Sequence, residues 1–166
     1  MIHLAAAVLN QTPLDWAGNT QRLQAALADA RAQGVSLLCL PEMCTCGYGC
    51  EDAFLSANTH ARAWSVLNEL LPVTRGLVTC LGLPILHQKG IFNAVALVVD
   101  GAVAGLVAKR FLAGDGIHYE PRWFKPWPAG VRDDWTAPDG RRFPIGDLLF
   151  EVGGVRIGFE ICEDAW

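Results

Sequence analysis

Three apolar runs in this chain each stop at a residue whose side chain is charged or reactive. Val35–Leu40 is followed, after one proline, by Glu42; Ala102–Ala108 is followed by Lys109; and Val155–Ile161 is followed by Cys162. Short apolar runs of this kind predict buried strands of a layered α/β fold, in which ligands bind at the ends of the strands. The chain is therefore expected to bring a carboxylate, an ammonium group and a thiol to one edge of a sheet.

Strand and helix patterns alternate in the first half of the chain, which favours an α/β fold. The predicted elements are a strand over Ile2–Val8, a helix over Asn19–Gln33, a strand over Val35–Leu40, a helix over Ser56–Leu71 and a strand over Leu77–Leu83. The first helix places Leu23, Ala26, Leu27 and Ala30 on one face. Gly34 is its expected stop, and Pro72 is expected to end the second helix.

Two hairpins are predicted in the second half. Asp100-Gly101 joins Ile91–Val99 to Ala102–Ala108, and Gly153-Gly154 joins Leu148–Val152 to Val155–Ile161. Both dipeptides tolerate the positive φ angles of a tight turn. The outgoing arms would carry Lys109 and Cys162 to the rim of the sheet. Between the hairpins, residues 123–139 are rich in proline, tryptophan and charge, and they are predicted to form a long surface loop.

The composition suits one domain with a sizeable core, since 52% of the 166 residues are hydrophobic. The formal net charge is -4, without a long run of like charges, so we expect no nucleic-acid partner. No stretch has the length of a membrane-spanning helix, and the N-terminus lacks the pattern of a secretory signal. We therefore expect a cytoplasmic protein with reduced thiols and no membrane partner.

The cysteines do not follow a metal-binding pattern. Cys44, Cys46 and Cys50 lie close together, but they lack the paired Cys-x-x-Cys spacing of zinc sites, and His60 is the nearest histidine. Neither of the phosphate-binding patterns GxxxxGK[ST] and GxGxxG occurs. We expect no metal in this domain.

Glu42, Lys109 and Cys162 would together supply what a thiol-dependent hydrolase needs. Cys162 would be the nucleophile, Glu42 the base that removes its proton, and Lys109 the cation that stabilises negative charge on the substrate oxygen. Each residue alone also has an ordinary explanation, as a buried structural cysteine, a solvated glutamate or the basic end of an edge strand. Only the combination is specific, although the acidic pair after Cys162 favours an exposed, polar rim.

Two segments carry a family resemblance: Glu42-Met43-Cys44-Thr45-Cys46-Gly47-Tyr48-Gly49-Cys50-Glu51-Asp52 and Cys162-Glu163-Asp164-Ala165-Trp166. In the order Glu, Lys, Cys, the chain resembles the nitrilase (carbon-nitrogen hydrolase) superfamily and, within it, the glutaminase domains of glutamine-dependent NAD synthetases. The resemblance covers essentially the whole chain. It implies a four-layer α-β-β-α sandwich, of which residues 1–166 supply the N-terminal part of one glutaminase domain that is incomplete at its C-terminus.

The same resemblance implies a reaction. Cys162 attacks the side-chain amide of glutamine, Glu42 is the general base and then the acid for the departing ammonia, and Lys109 stabilises the tetrahedral intermediate. Water then hydrolyses the γ-glutamyl thioester to glutamate.

Further residues are assigned by the resemblance alone. Tyr119–Phe124 resembles the family's segment with a second functional glutamate, which would make Glu120 the partner that positions Lys109 or assists proton transfer. Tyr48 and Glu163 match positions that surround the glutamine substrate. The ammonia would pass to a synthetase domain that uses ATP and magnesium to amidate deamido-NAD in a homo-oligomeric parent enzyme. Neither ATP nor magnesium, nor any other cofactor, is expected in this domain.

Two alternatives stay open at this point. Another carbon-nitrogen hydrolase, an amidase or a carbamoylase, would keep the same three groups in a different pocket. A non-catalytic fragment or assembly module would instead use exposed sheet surface to pair with another chain. Substrate preference separates the first alternative from a glutaminase, and oligomerisation without turnover would identify the second.

Overall fold

A computed structural model describes residues 2–166 of the chain. Its strands are Leu4–Ala6 (β1), Leu37–Cys39 (β2), Val78–His87 (β3), Gly90–Val99 (β4), Ala102–Ala108 (β5), Arg132–Thr136 (β6), Arg142–Gly146 (β7), Phe150–Val152 (β8) and Val155–Ile157 (β9). Its α-helices are Trp16–Ala32 (α1), Ala57–Leu70 (α2) and the single turn Glu120–Trp123 (α3). Short 3-10 turns cover Glu51–Leu55, Leu71–Thr74 and Cys162–Ala165.

One mixed sheet organises these elements. Its seven strands follow the order β1-β2-β3-β4-β5-β7-β6, while β8 and β9 form a separate two-stranded sheet. Strands β1, β2 and β3 are parallel, and β4 runs antiparallel between β3 and β5. As a result, β2 and β5 end at the same edge of the sheet, where β4 begins. Glu42 follows β2 and Lys109 follows β5, so this edge collects the charged groups.

The two long helices pack on one face of the sheet because each has an apolar side. They bury Leu23, Leu27 and Ala30 from α1 and Ala63, Trp64, Val66, Leu67 and Leu70 from α2 in one large core with the sheet. Both predicted helices are confirmed. Helix α1 begins earlier than predicted, at Trp16, because the Asp15 side chain caps its first turn and accepts a hydrogen bond from the Gly18 amide at 3.0 Å. Within residues 2–166, no helix combines the length and the apolar character needed to cross a bilayer.

The opposite face of the sheet carries a smaller apolar cluster, made of Cys80, Val95, Leu97, Val107, Leu148 and Ile161. The β8–β9 hairpin lies against this cluster through Phe150 and Val152. The described residues therefore supply one helical layer, one large sheet and, on the other face of that sheet, the two-stranded β8–β9 sheet. The predicted α/β class is confirmed, and this arrangement is that of the N-terminal part of the expected sandwich.

The predicted surface loop over residues 123–139 is wrong. It contains β6, which pairs with β7, and its indole rings at Trp127 and Trp135 are buried. Trp127 packs on Phe92 and Trp135 packs on Trp64, each at a centroid distance of 4.9 Å. Aromatic burial outweighs the proline content that suggested a loop.

The two hairpins differ in how well the sequence predicted them. The β4–β5 hairpin has the predicted bounds within one residue, with positive φ at both Asp100 and Gly101. The second predicted arm, Val155–Ile161, is a strand only as far as Ile157. Irregular backbone over residues 158–161 then leads to Cys162.

Gly82 on β3 allows the chain after β2 to cross the sheet closely. A Cβ atom at this position would lie 2.5 Å from the Pro41 carbonyl oxygen and 2.6 Å from the Glu42 Cα. Real Cβ atoms do not approach backbone atoms this closely, so only glycine fits. Because residue 82 has no side chain, the backbone at Glu42 can lie directly against β3.

Replacement of Gly82 by alanine should therefore strain the fold. We expect Gly82→Ala to lower the free energy of unfolding by about 1–3 kcal/mol, the usual cost of overpacking. Gly114→Ala is the matched control, because its Cβ would meet only the Pro121 ring, at ordinary distances of 3.6 and 3.9 Å. Urea denaturation measures both; equal stability of the two variants would contradict the close approach.

Candidate active site

A buried ammonium group lies at the centre of the candidate site. Lys109 is 0% exposed, and its Nζ lies 2.8 Å from Glu120 Oε2 and 3.4 Å from Glu42 Oε2. A buried charge of this kind is tolerated only when it is paired. The structure thus brings Lys109, Glu42 and Glu120 together from three separate segments of the chain.

Glu120 is held more completely than Glu42. It is 1% exposed and begins the short helix α3. Besides the bond from Lys109, its carboxylate accepts hydrogen bonds from the backbone amide of Ala113 at 2.6 Å and from the side-chain Nδ2 of Asn93 at 3.3 Å. Glu120 is therefore saturated with donors.

Glu42 keeps one carboxylate oxygen free. Its Oε2 accepts hydrogen bonds from Asn93 Nδ2 at 2.8 Å and from Lys109 Nζ at 3.4 Å. No nitrogen donor from residues 2–166 hydrogen-bonds to its Oε1, and 24% of the side chain is exposed. The Cys162 thiol lies close enough to the Glu42 carboxylate for a hydrogen bond between them to contribute to the raised pKa of the thiol. Glu42 therefore has the capacity to accept a proton that Glu120 lacks.

Cys162 sits on a strained turn at the end of the segment that leads out of β9. Its φ is +51°, in the left-handed region that residues with a Cβ seldom adopt. Asp164 stabilises the turn, because its carboxylate accepts hydrogen bonds from the amides of Ile161, Arg110 and Phe111 at 3.0, 3.0 and 2.7 Å. One carboxylate thereby ties the cysteine turn to the segment that directly follows Lys109.

Charges set the protonation states of the site. Partial burial, together with the negative charges of Glu42 and Glu120, raises the pKa of Cys162, and the positive charge of Lys109 only partly offsets this effect. Burial alone would lower the pKa of Lys109, but its hydrogen bond to Glu120 and the two carboxylate charges outweigh burial and raise it. The resting site therefore combines a protonated thiol with a charged ammonium group.

The two residues assigned to substrate binding lie at the open side. Tyr48 is exposed, and burial of its hydroxyl end together with the charges of Glu120 and Glu42 raises the pKa of the phenol. Glu163 follows Cys162 in the same turn and is half-buried. Tyr48 lies close enough to Glu120 for a side-chain hydrogen bond to contribute to the raised pKa of the phenol. Among the described residues, Glu163 donates or accepts no hydrogen bond with Lys109, Glu42 or Glu120. Their assignment to substrate remains a prediction.

A cavity of about 280 Å³ opens between the sheet and the cysteine segment. Glu42 and Cys162 both line it, together with mainly apolar neighbours that include Val95, Phe159 and Ile161. Cys39 lines the same cavity from β2 and is the other exposed thiol. The cavity thus offers a partly apolar chamber with the thiol and the unengaged carboxylate at its wall.

The clustered cysteines turn inwards. Cys44, Cys46 and Cys50 are buried, and their thiols donate hydrogen bonds to backbone carbonyl groups. Over residues 2–166, no three histidine, cysteine or acidic side chains are arranged to hold a metal ion. Burial raises the pKa of Cys44 to about 12, so this thiol stays protonated.

Residues 3–166 match the sequence profile described as carbon-nitrogen hydrolase, so the chain belongs to the carbon-nitrogen hydrolase family. A glutamine-dependent NAD(+) synthetase from Cytophaga hutchinsonii superposes with a TM-score of 0.95 and 41% identity, over 98% of this chain and 28% of that one. The glutamine-dependent NAD(+) synthetase of Saccharomyces cerevisiae is 34% identical over 99% of this chain and 24% of its own length.

A more distant neighbour shares the fold alone. The amidase of a Nesterenkonia species has a TM-score of 0.65 and 23% identity, over 86% of this chain and 54% of its own. The chain spans about a quarter of the length of the two synthetases. The similarity to them therefore concerns one portion of much larger proteins.

Two residues of the site were missed by the sequence reasoning. Asn93 lies inside a run that predicted only a strand, and its polar side chain in that apolar stretch was the available sign. Asp164 was interpreted only as part of a polar rim. Its position three residues after Ile161 is that of a residue that reaches back to cap a turn, and that spacing could have identified it.

The role of Asp164 in holding the cysteine turn can be tested by its removal. We expect Asp164→Ala to lower the free energy of unfolding by about 1–3 kcal/mol, because three backbone amides lose their acceptor. Glu163→Ala is the matched control and should change stability by less than about 0.5 kcal/mol. Thermal and urea unfolding measure both, and similar losses in the two variants would argue against the capping role.

The electrostatic description of the thiol predicts a pH dependence. Because the pKa of Cys162 is raised, its alkylation by iodoacetamide should reach half its maximal rate at a pH above the ordinary 9.0 of a thiol. Glu42→Gln removes one of the charges that raise the pKa, so the curve should move to lower pH. Peptide mapping follows Cys162 separately from Cys39.

The exposed acid Glu151 on β8 supplies the control for this experiment. Glu151→Gln removes the same charge outside the site. The curve of Cys162 alkylation against pH in this variant should coincide with that of the chain without a substitution. A curve for Glu42→Gln that is unmoved, or that lies at higher pH, would contradict the assigned interaction.

Proposed function

We propose that the chain hydrolyses the side-chain amide of glutamine to glutamate and ammonia. The observation that supports this proposal most directly is the buried Lys109, paired with Glu42 and Glu120 beside the strained turn of Cys162. A thiol nucleophile, a carboxylate with an unengaged oxygen and a fixed cation are the groups that amide hydrolysis through a thioester requires. The similarity to glutamine-dependent NAD synthetases favours glutamine as the amide.

Glu42 has the first task in this reaction. Since the Cys162 thiol is protonated at rest, a base must remove its proton as the sulfur attacks the amide carbon. The proton passes to Glu42, a carbon–sulfur bond forms, and the carbonyl oxygen becomes negatively charged. Lys109 stabilises that charge.

Collapse of the intermediate returns the proton. Glu42 protonates the leaving nitrogen, the carbon–nitrogen bond breaks, and ammonia departs to leave a γ-glutamyl thioester on Cys162. Glu42 then removes a proton from water, which attacks the thioester carbon. Glutamate leaves, and the sulfur takes back its proton, so the thiol and the carboxylate return to their starting states.

Glu120 acts through Lys109 in this scheme. Its carboxylate accepts the shorter of the two contacts to the ammonium group and is itself fixed by the Ala113 amide. It therefore keeps Lys109 charged and in place. Tyr48 and Glu163, at the open side of the site, would contact the α-amino and α-carboxylate groups of the substrate glutamine.

The context of this reaction belongs to the proposal as well. In a longer parent protein, the ammonia would pass to a synthetase domain that uses ATP and magnesium to make NAD from deamido-NAD. We also propose a cytoplasmic, homo-oligomeric parent. The proposed steps in the present chain use only its own side chains, without a cofactor. A simple amidase is less favoured, since the similarity to the amidase neighbour is much lower than that to the synthetases.

Covalent labelling tests the proposal on the chain itself. An electrophilic diazo ketone analogue of glutamine should form a single adduct on Cys162, and excess glutamine should suppress it, because the analogue must occupy the same place as the substrate. Iodoacetamide serves as the unselective reagent. Intact-mass measurement and peptide mapping identify the modified thiol.

Cys39 provides the matched control for this labelling. It lines the same cavity, and its interaction with the Cys80 thiol lowers its pKa, so iodoacetamide should modify it readily. The glutamine analogue should label Cys39→Ser to the same extent as the chain without a substitution. It should fail to label Cys162→Ala. Labelling of Cys39, or labelling that a simple aliphatic amide suppresses as well as glutamine does, would count against the proposal.

A further inference from the structure

We propose that Asn93 is a positioning residue that holds Glu42 in its reactive orientation beside Lys109. This inference rests on the proposed amide hydrolysis and adds a fifth participant to Glu42, Lys109, Glu120 and Cys162. Three observations support it: the contacts of the Asn93 side chain, the position of Asn93 in the sheet, and the lack of a hydrogen-bond partner for its Oδ1 among the described residues.

The backbone places Asn93 at the level of the reacting groups. It lies on β4, opposite Pro84 of β3, and its carbonyl oxygen accepts the Lys109 amide hydrogen at 2.8 Å. Two adjacent strands thus present Asn93 and Lys109 side by side. Because this pairing is part of the sheet, the Asn93 side chain has little freedom to move away.

The Asn93 amide joins the two carboxylates. Its Nδ2 donates to Glu42 Oε2 at 2.8 Å and to Glu120 Oε1 at 3.3 Å. Both partners are carboxylate oxygens, which accept hydrogen bonds when they are ionised, so the nitrogen of the amide must face them. One NH2 group therefore donates hydrogen bonds to both carboxylates, whose like charges would otherwise repel each other.

Glu42 depends on this contact more than Glu120 does. The Asn93 bond to Glu42, at 2.8 Å, is shorter than the Lys109 bond, at 3.4 Å. Glu120 keeps the Ala113 amide and the closer Lys109 contact without Asn93. Loss of Asn93 should consequently release Glu42 and leave Glu120 in place.

The other half of the amide shows that packing alone does not explain this residue. Asn93 is 1% exposed, and its Oδ1 has no hydrogen-bond partner among residues 2–166. An unpaired buried acceptor costs stability, and an apolar side chain of similar size would avoid that cost. The nitrogen that faces Glu42 and Glu120 is the part of the side chain that makes contacts.

Replacement of Asn93 by leucine tests the proposal through turnover. We expect Asn93→Leu to lower kcat for glutamine hydrolysis by about 10- to 100-fold, with a much smaller change in KM, because the base is misplaced while the cavity remains. The acidic limb of the kcat/KM profile should move to higher pH, since a carboxylate that loses an N–H donor takes up its proton more readily. Simple loss of folded molecules would lower kcat without moving the limb.

Thr79→Val is the matched control. Thr79 is a 0% exposed polar residue of the same sheet whose Oγ1 also lacks a partner among the described residues, but it has no contact with the site. Its kcat and pH profile should equal those of the unmodified chain. If Asn93→Leu does not fold, the isosteric Asn93→Asp replaces it; failure of both to fold would make Asn93 a structural residue and overturn the proposal.

A crystal structure of Asn93→Leu gives a result that does not depend on turnover. Glu42 Oε2 should leave Lys109, whereas the Glu120 contact should persist. An unmoved Glu42, or an unchanged pH profile, would refute the role of Asn93 even if the unmodified chain hydrolyses glutamine. Conversely, absence of glutamine hydrolysis and of Cys162 labelling in the unmodified chain would refute the proposed function, and the position of Glu42 in the variant would still decide whether Asn93 holds it.

Discussion

The candidate site depends on the burial of one ammonium group. Removing a charge from water costs on the order of several kcal/mol, so Lys109 can be buried only where opposite charges compensate it. Glu42 and Glu120 do so from two other segments of the chain. The cluster then carries one excess negative charge, which keeps the Cys162 thiol protonated at rest. A site of this kind needs a base at the moment of attack, and the same cluster contains one.

The two carboxylates are chemically alike, but the structure gives them different environments. Glu120 is 1% exposed, and its donors include a backbone amide, so its carboxylate is fixed in position. Glu42 lies at the cavity wall with one unengaged oxygen. Unequal hydrogen bonding, rather than residue type, therefore separates the residue that orients Lys109 from the residue suited to move a proton.

Backbone geometry supports this arrangement at two points. The glycine at position 82 lets the segment with Glu42 pass directly over β3, and the Cys162 turn holds a left-handed residue with the help of Asp164. Both features place reactive groups where ordinary strand or helix backbone would not. Local strain at such positions persists because surrounding hydrogen bonds and packing hold it.

The sequence alone determined the α/β class, both long helices, the β4–β5 hairpin and the expectation that Glu42 and Lys109 follow strand ends. These features depend on local periodicity, turn chemistry and strand termini, which are written in neighbouring residues. The tertiary structure decided which groups touch. The contacts of Asn93 with Glu42, of Asp164 with the segment after Lys109, and of the buried tryptophans in residues 123–139 join parts of the chain that lie far apart. Such contacts arise from the order and direction of strands in the sheet, and local pattern does not encode them.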